Sequence, residues 1–436
     1  MSVENILLVT IDSLRSDYRS EDAPTLTRLA DRGTSFTNVF ATGPGTTPSF
    51  PSILTGSYPL SYGGLGVLSD DRPFLARNLR DHGITTAGFH SNPFLSANFN
   101  YDTGFDAFED HQDQLIGIAA KLFPQGVEKS ILPNPVATVL KKSYELIQDK
   151  PRPYKQAETI TDDAIRWLCD TSDGFFEWVH YMDVHHPCFP PKHYLQQYEL
   201  ENTSYSEISD LYSRALDAPE TVTDHEDSIL RESYRASLQY VDDQLGRLVK
   251  ALDESGQADE TLLIVTSDHG QLFGEFGAYG KPHRLYDALI SVPLVMQNTP
   301  KRISGYSDEL FSLIDLPPFI HRALQLPVPD EYEGKCPIEA DPRDDVFAEH
   351  QLGDDFVAGI RSGEWKFVVD GLTNESRAYR VSSPIEEQIP LTQSGLPSDL
   401  RNKLTERLKS VDISAAQFTA TINSETEGRL QDLGYL

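Results

Sequence analysis

The chain has 436 residues, with 67 acidic side chains against 37 basic ones and a formal net charge of −30. Hydrophobic residues make up 39% and aromatics 10%, enough for a sizeable core, which excludes a fully disordered chain. The acidity is spread along the sequence and no lysine precedes Lys121, so the basic stripe that a nucleic-acid partner requires is missing.

A diffusely acidic, lysine-poor surface is expected of proteins that work in dense salt, where self-repulsion is screened. It also disfavours an anionic membrane surface as partner. No run approaches the ~20 apolar residues of a membrane span, so no integral membrane contact is expected. The three cysteines, Cys169, Cys188 and Cys336, are an odd, scattered set and read as buried free thiols.

In chain order, residues 5–11 are a continuous apolar run, as expected of a strand buried on both faces. With no basic leader before it, that start predicts a cytoplasmic protein. Pro24 opens a helix carrying Leu26, Leu29 and Ala30, which Gly33 ends. Residues 35–41 return as a strand, 50–54 begin a helix, and 85–90 form a short strand. A tryptophan-containing helix at 161–170 leads into an apolar strand at 175–182. Leu230, Tyr234, Leu238, Val241, Leu245, Leu248 and Leu252 recur at helical spacing, with Gly256 as the C-terminal stop, before another strand at 262–266.

Alternation of buried strands and helices predicts an α/β sandwich around a large, mostly parallel sheet flanked by helices. Its sites are expected at the C-terminal ends of the strands. Composition shifts near residue 325, where Leu326, Pro327, Val328 and Pro329 read as a linker. The expected organisation is therefore a catalytic α/β domain at 1–325 and a small α+β subdomain with short antiparallel strands at 326–436. Segments 110–155 and 186–228 read as long surface insertions.

Asp12 ends the first strand, and Asp268-His269-Gly270 follows the strand at 262–266. Two carboxylates and an imidazole delivered to one sheet edge suit a hard or borderline divalent cation. Between them lies Thr46-Thr47-Pro48-Ser49-Phe50-Pro51. A threonine hydroxyl just before a proline-initiated helix sits where free amides favour an anion, or else simply caps the helix. Held beside a metal, such a hydroxyl becomes a nucleophile.

The order of Asp12, this Thr-x-Pro-Ser segment with Leu54-Thr55-Gly56, His185-His186-Pro187, Asp268-His269-Gly270 and Gly280-Lys281 resembles the sulfatase branch of the alkaline-phosphatase superfamily. Tyr240 to Gly246, Val292-Pro293-Leu294, Ile314-Asp315-Leu316 and the closing Leu433-Gly434-Tyr435 fit the same pattern, so the resemblance spans nearly the whole chain. It implies one divalent metal ion, Ca²⁺, Mn²⁺, Mg²⁺ or Zn²⁺, held by Asp12, Thr46, Asp268 and His269. Thr46 is then the nucleophile. His185 and Lys281 bind the substrate's charged oxygens or protonate the leaving group, with His283 as a further candidate for that task. Asn92, near His90, falls where such enzymes contact substrate. A second metal would have only Asp183 and His185 to draw on, so one metal site is expected.

Three positions depart from the family pattern. Thr46 stands where sulfatases carry the Cys or Ser that becomes formylglycine, Phe50 replaces the supporting Arg, and Ser13 replaces the second Asp of the usual pair. Threonine cannot yield the aldehyde, whereas a threonine nucleophile resembles related phosphodiesterases. The resemblance therefore implies a hydrolase of a sulfate, phosphate or phosphonate ester, on a small molecule or a glycan. The alternatives are a phospho-group transferase or a catalytically silent binding protein that keeps the fold.

Overall fold

Every residue of the first strand, β1 (Asn5–Ile11), is buried. In the computed structural model it lies in the middle of an eight-stranded sheet. The structure describes residues 3–111, 154–172, 174–299, 305–336, 343–352, 355–371, 375–381 and 398–411. The insertion expected at 110–155 and the Leu433-Gly434-Tyr435 end lie almost wholly outside these residues.

The sheet is built from β1, β2 (Thr34–Phe40), β3 (Thr85–Phe89), β4 (Ala107–Glu109), β5 (Phe175–Tyr181), β6 (Thr261–Ser267), β9 (Leu294–Gln297) and β10 (Gly305–Ser312), with a two-stranded ribbon of β7 (Leu272–Phe273) and β8 (Tyr279–Gly280) beside it. Its order is β10-β2-β9-β6-β1-β5-β3-β4. β1 pairs in parallel with both β5 and β6, and only β9 runs against its neighbours. Strands of this kind need both faces covered, because a parallel sheet is linked by crossover helices.

The pleat of β1 sorts its side chains between two layers. Leu7, Val9 and Ile11 join a core with Leu26 and Leu29 of α1 (Pro24–Arg32), Ile160 and Ala164 of α4 (Ala157–Asp170), and the 32-residue α7 (Asp224–Ser255). Ile6 and Leu8 face the other way, toward Phe50 and Ile53 of α2 (Thr46–Thr55), Leu75 and Leu79 of α3 (Leu75–Asp81), and Leu316, Phe319 and Ile320 of α9 (Leu316–Ala323). Each such aliphatic side chain contributes about 1.5–3 kcal/mol by leaving water.

The segment expected to be an irregular insertion at 186–228 is largely helical. It holds α5 (Lys192–Gln196) and α6 (Tyr205–Asp217), and α7 begins within it. The physical cause is two capping boxes, Ser204 with Glu207 and Thr223 with Glu226, each satisfying two free amide groups. Gly256 ends α7 at φ 80, a left-handed conformation that glycine adopts freely. Of the cysteines, Cys188 alone is buried; Cys169 is exposed and Cys336 intermediate, which corrects the buried-thiol expectation for those two.

After α8 (Asp287–Ile290), the chain beyond residue 325 forms an antiparallel meander of β11 (Val346–Leu352), β12 (Asp355–Ser362), β13 (Trp365–Asp370) and β14 (Glu375–Arg380). α10 (Ser398–Lys409) covers one face through Leu400 and Leu404, and Val346, Ala348 and Val357 on the other pack against Leu285, Leu289 and Phe40. The joint is also polar: Asp287, fully buried, meets Lys366 Nζ at 2.9 Å and Arg361 Nε at 3.3 Å.

Candidate active site

β1 and β6 are in register over their whole length, so the residues that follow them emerge side by side. Asp12 continues the ladder by donating its amide to Tyr181 O at 2.9 Å. The next residue, Ser13, turns with φ 60, and its amide donates to Asp268 Oδ1 at 3.2 Å. Ser267 Oγ donates within the same junction, to Ile11 O and His269 O, and accepts from Leu14 N–H. Gly270 is required because a Cβ there would lie 2.1 Å from Ala288 O. Arg15 spans the two loops by donating to Gln271 O at 2.7 Å and Glu275 Oε1 at 2.9 Å.

Asp12, Asp268 and His269 are all fully buried, and one ligand atom from each lies within 4.8 Å of the others. His269 Nδ1 is 2.7 Å from Gly270 O. A carbonyl only accepts, so Nδ1 carries the proton and Nε2 presents its lone pair to the cluster. Nε2 stands 3.4 Å from Asp268 Oδ2 and 3.7 Å from Asp12 Oδ1. Asp268 Oδ2 is buried and accepts no hydrogen bond among the described residues. Two carboxylates and an imidazole lone pair thus converge on one point, a donor set that fits a divalent cation. Among the described residues this is the one group of three such ligands.

Thr46 is the first residue of α2, not the residue before it. Gly45, extended at φ −166 and ψ 176, takes the cap position and offers no side chain to cap the helix. The Thr46 hydroxyl therefore belongs to the first helical turn. It donates to Asp12 Oδ2 at 3.3 Å and sits 3.4 Å from His269 Nε2. Ser13, in place of the family's second aspartate, donates its Oγ to Asp12 Oδ1 at 2.7 Å. Phe50, in place of the arginine, sets its ring edge-on to His180 at 5.0 Å and near Trp178 at 5.5 Å.

Asn92 is held by accepting the Phe94 amide on Oδ1, and its Nδ2 donates to Asp12 Oδ2 at 3.4 Å. His90 packs its ring between Trp178 and Phe108 instead. His185, fully buried, places Nδ1 2.6 Å from His186 O, which leaves its Nε2 as the lone-pair nitrogen. Its ring stacks on His186, which stacks on Tyr212. Lys281 follows β8 and shares the electrostatic environment of Asp12, Asp268, His185 and His269. His283, two residues on, has its ring 4.4 Å from that of His350 on β11. Asp183, weighed as a ligand for a second metal, instead accepts the Ala157 amide at 2.8 Å at the start of α4.

Charge settles the protonation pattern. Burial alone would raise the Asp12 carboxyl, but His185, Lys281, His180 and His269 together hold it well below its usual range. Burial, reinforced by Asp12, pushes Asp268 well above it. Burial and then Lys281 depress His269 to about 3, so its imidazole is neutral and able to ligate. Burial lowers the Lys281 ammonium against the pull of Asp12 and Asp268.

His180 is the residue that the sequence reading missed. It lies on β5, fully buried, with Nε2 3.7 Å from Asp12 Oδ2. The available signal was a histidine inside the apolar run Phe175 to Tyr181, directly across the ladder from Thr10.

The fold and site now stand beside known proteins. The sulfatase family model matches residues 4–326, and the chain belongs to that family. It is 23% identical to an arylsulfatase of Clostridium perfringens over 89% of this chain and 90% of that one. It is 26% identical to the multifunctional alkaline phosphatase superfamily protein PehA of Trinickia caryophylli, over 77% and 76%. Among solved structures, BT4656 in complex with D-glucosamine-2-N,6-O-disulfate superposes with a TM-score of 0.69 at 17% identity, covering 94% of this chain and 97% of that one. The phosphonate monoester hydrolase of Agrobacterium radiobacter gives 0.65 at 20%, covering 94% and 96%.

Proposed function

We propose that the chain hydrolyses a sulfate ester, phosphate diester or phosphonate monoester, with Thr46 as nucleophile and phosphorus esters as the better substrates. The observation that carries this reading is the Thr46 hydroxyl within 3.3 Å of Asp12 Oδ2 and 3.4 Å of His269 Nε2.

Asp12, Asp268, His269 and Thr46 would hold one divalent cation. When bound, it would neutralise the ester's non-bridging oxygens and favour loss of the Thr46 proton. Thr46 Oγ1 attacks phosphorus or sulfur as the bond to the alcohol oxygen breaks, and that oxygen takes a proton as it leaves. Lys281 suits both tasks around this step: its positive charge faces the anionic oxygens, and burial makes its proton easier to release. His185 and Asn92 orient the same oxygens, and His283 borders the alcohol side. Water then cleaves the Thr46 ester, releasing the acid and restoring the hydroxyl. A phospho-threonine can be opened this way, whereas a sulfo-threonine lacks the elimination route of a hydrated aldehyde, which is the reason for preferring phosphorus.

The test is hydrolysis of an aryl sulfate, an aryl phosphate diester and an aryl phosphonate monoester in high salt with Mn²⁺ or Ca²⁺, for the wild type and Thr46→Ala. Turnover of phosphorus esters that vanishes in Thr46→Ala supports the reading. Faster turnover of the sulfate overturns the preference for phosphorus. No turnover of any of the three, with the cation still bound, argues for a transferase or a silent binding protein.

A further inference from the structure

Behind Asp12 lies a chain of polar groups that the proposed reaction does not use. Trp178 Nε1 is 3.0 Å from Thr10 Oγ1, Thr10 Oγ1 is 3.0 Å from His180 Nδ1, and His180 Nε2 is 3.7 Å from Asp12 Oδ2. All four residues are fully buried. Three of them arise from strand geometry: Thr10 and His180 are ladder partners on β1 and β5, and Trp178, two residues before His180, shares its face of the sheet. Phe50 closes the far side, its ring edge-on to His180.

The direction of the chain follows from donor and acceptor chemistry. The indole N–H only donates, so one lone pair of Thr10 Oγ1 is committed to Trp178. The single Thr10 proton then has two acceptors in reach, His180 Nδ1 at 3.0 Å and Val179 O at 3.4 Å. The shorter contact goes to the imidazole, which makes Nδ1 an acceptor and places the ring proton on Nε2. The opposite tautomer would turn a lone pair toward the Asp12 carboxylate, answered only by Asn92 Nδ2 at 3.5 Å, and would leave the Thr10 proton the longer contact to Val179 O, an unfavourable arrangement at low dielectric.

We infer that His180 is a positioning residue for the metal centre: Trp178 and Thr10 fix its Nε2–H tautomer, and that N–H faces Asp12 Oδ2 across 3.7 Å and holds the carboxylate electrostatically. Ser13 Oγ holds the other oxygen, Oδ1, at 2.7 Å, and Asn92 Nδ2 adds a second donor to Oδ2 at 3.4 Å. The carboxylate is thereby pinned from both sides before any ion arrives. Groups of this kind commonly change metal affinity 10- to 100-fold. The inference rests on Asp12 acting as a ligand, the reading proposed above.

The experiment measures Mn²⁺ affinity of the full chain by titration calorimetry for the wild type, Thr10→Val, Thr10→Ser and His180→Gln, with ¹⁵N chemical shifts of the histidine rings recorded on the metal-free wild type. The expected result is an Nε2–H tautomer at His180, about tenfold or greater weakening in Thr10→Val, and recovery in Thr10→Ser, which keeps the hydroxyl. His180→Gln, whose amide can still donate, should weaken less than Thr10→Val. A proton on Nδ1, or Thr10→Val binding as tightly as the wild type while folded by circular dichroism, overturns the inference. If the wild type binds no divalent ion, the metal reading fails by itself, and the ring tautomer still decides the relay.

Discussion

Thr46 Oγ1 stands 3.3 Å from Asp12 Oδ2, across 34 positions of sequence. The contact exists because Gly45 occupies the cap position of α2, which places the threonine inside the first helical turn, beside the acidic cluster. In the same cluster Asp12 and Asp268 are buried together, an arrangement that disfavours two negative charges until a cation joins them.

Asp268→Asn therefore separates folding from metal binding. Without divalent ions the variant should unfold at the same or higher urea concentration than the wild type, because it relieves the repulsion with Asp12. With Mn²⁺ at about 100 times its dissociation constant, the wild type should gain about 2.7 kcal/mol and the variant far less. Urea titrations with and without EDTA measure both. Equal gains in the two proteins would remove Asp268 from the ligand set.

Asp287 neutralises Lys366 and Arg361 where the C-terminal sheet docks. Asp287→Ala removes the carboxylate that both buried cations bond and should cost about 3–5 kcal/mol in urea unfolding. A loss under 1 kcal/mol would mean that the apolar contacts of Phe40, Leu285 and Leu289 hold this joint unaided.

Glu177 is fully buried on β5, and neither carboxylate oxygen has a hydrogen-bond partner among the described residues. Burial pushes its carboxyl well above the ordinary 4.5. The folded chain keeps this proton after the unfolded chain has released it. The contribution of Glu177 to stability is thus intact below about pH 4.5 and is lost as pH rises toward its folded value. Glu177→Gln should gain stability over the wild type progressively between pH 5 and 7, measured by urea midpoints across pH. Parallel pH profiles for the two proteins would contradict this assignment.

Asp242 on α7 accepts the Thr25 and Leu26 amides at 2.7 and 2.9 Å and so completes the N-terminus of α1. Asp242→Ala should cost about 1–2 kcal/mol with little effect on catalysis. A large fall in kcat at unchanged stability would place it in the chemistry instead.

Much of this was legible in the sequence because it rests on local pattern. β1, α1, α7 and β6 follow from apolar runs, helical spacing and glycine stops, and their strand ends carry Asp12 and Asp268-His269 to one edge. α6 and α10 were missed: α6 has only three buried residues and depends on the Ser204–Glu207 box, and α10 has two. His180 was hidden for a different reason. Its role depends on being opposite Thr10, which is set by the pairing of β1 and β5, 170 residues apart. Helix spacing could not place Thr46 either, since Pro48 and Pro51 suggest a later start than the helix takes.

The most direct measurement is mass spectrometry of acid-quenched protein after mixing with a phosphate diester or phosphonate monoester in the presence of Mn²⁺. The expected result is a covalent phosphoryl or phosphonyl adduct on the peptide that carries Thr46, absent from Thr46→Ala, which should also lose turnover. Turnover without an adduct at Thr46, retained by Thr46→Ala, would contradict the threonine nucleophile.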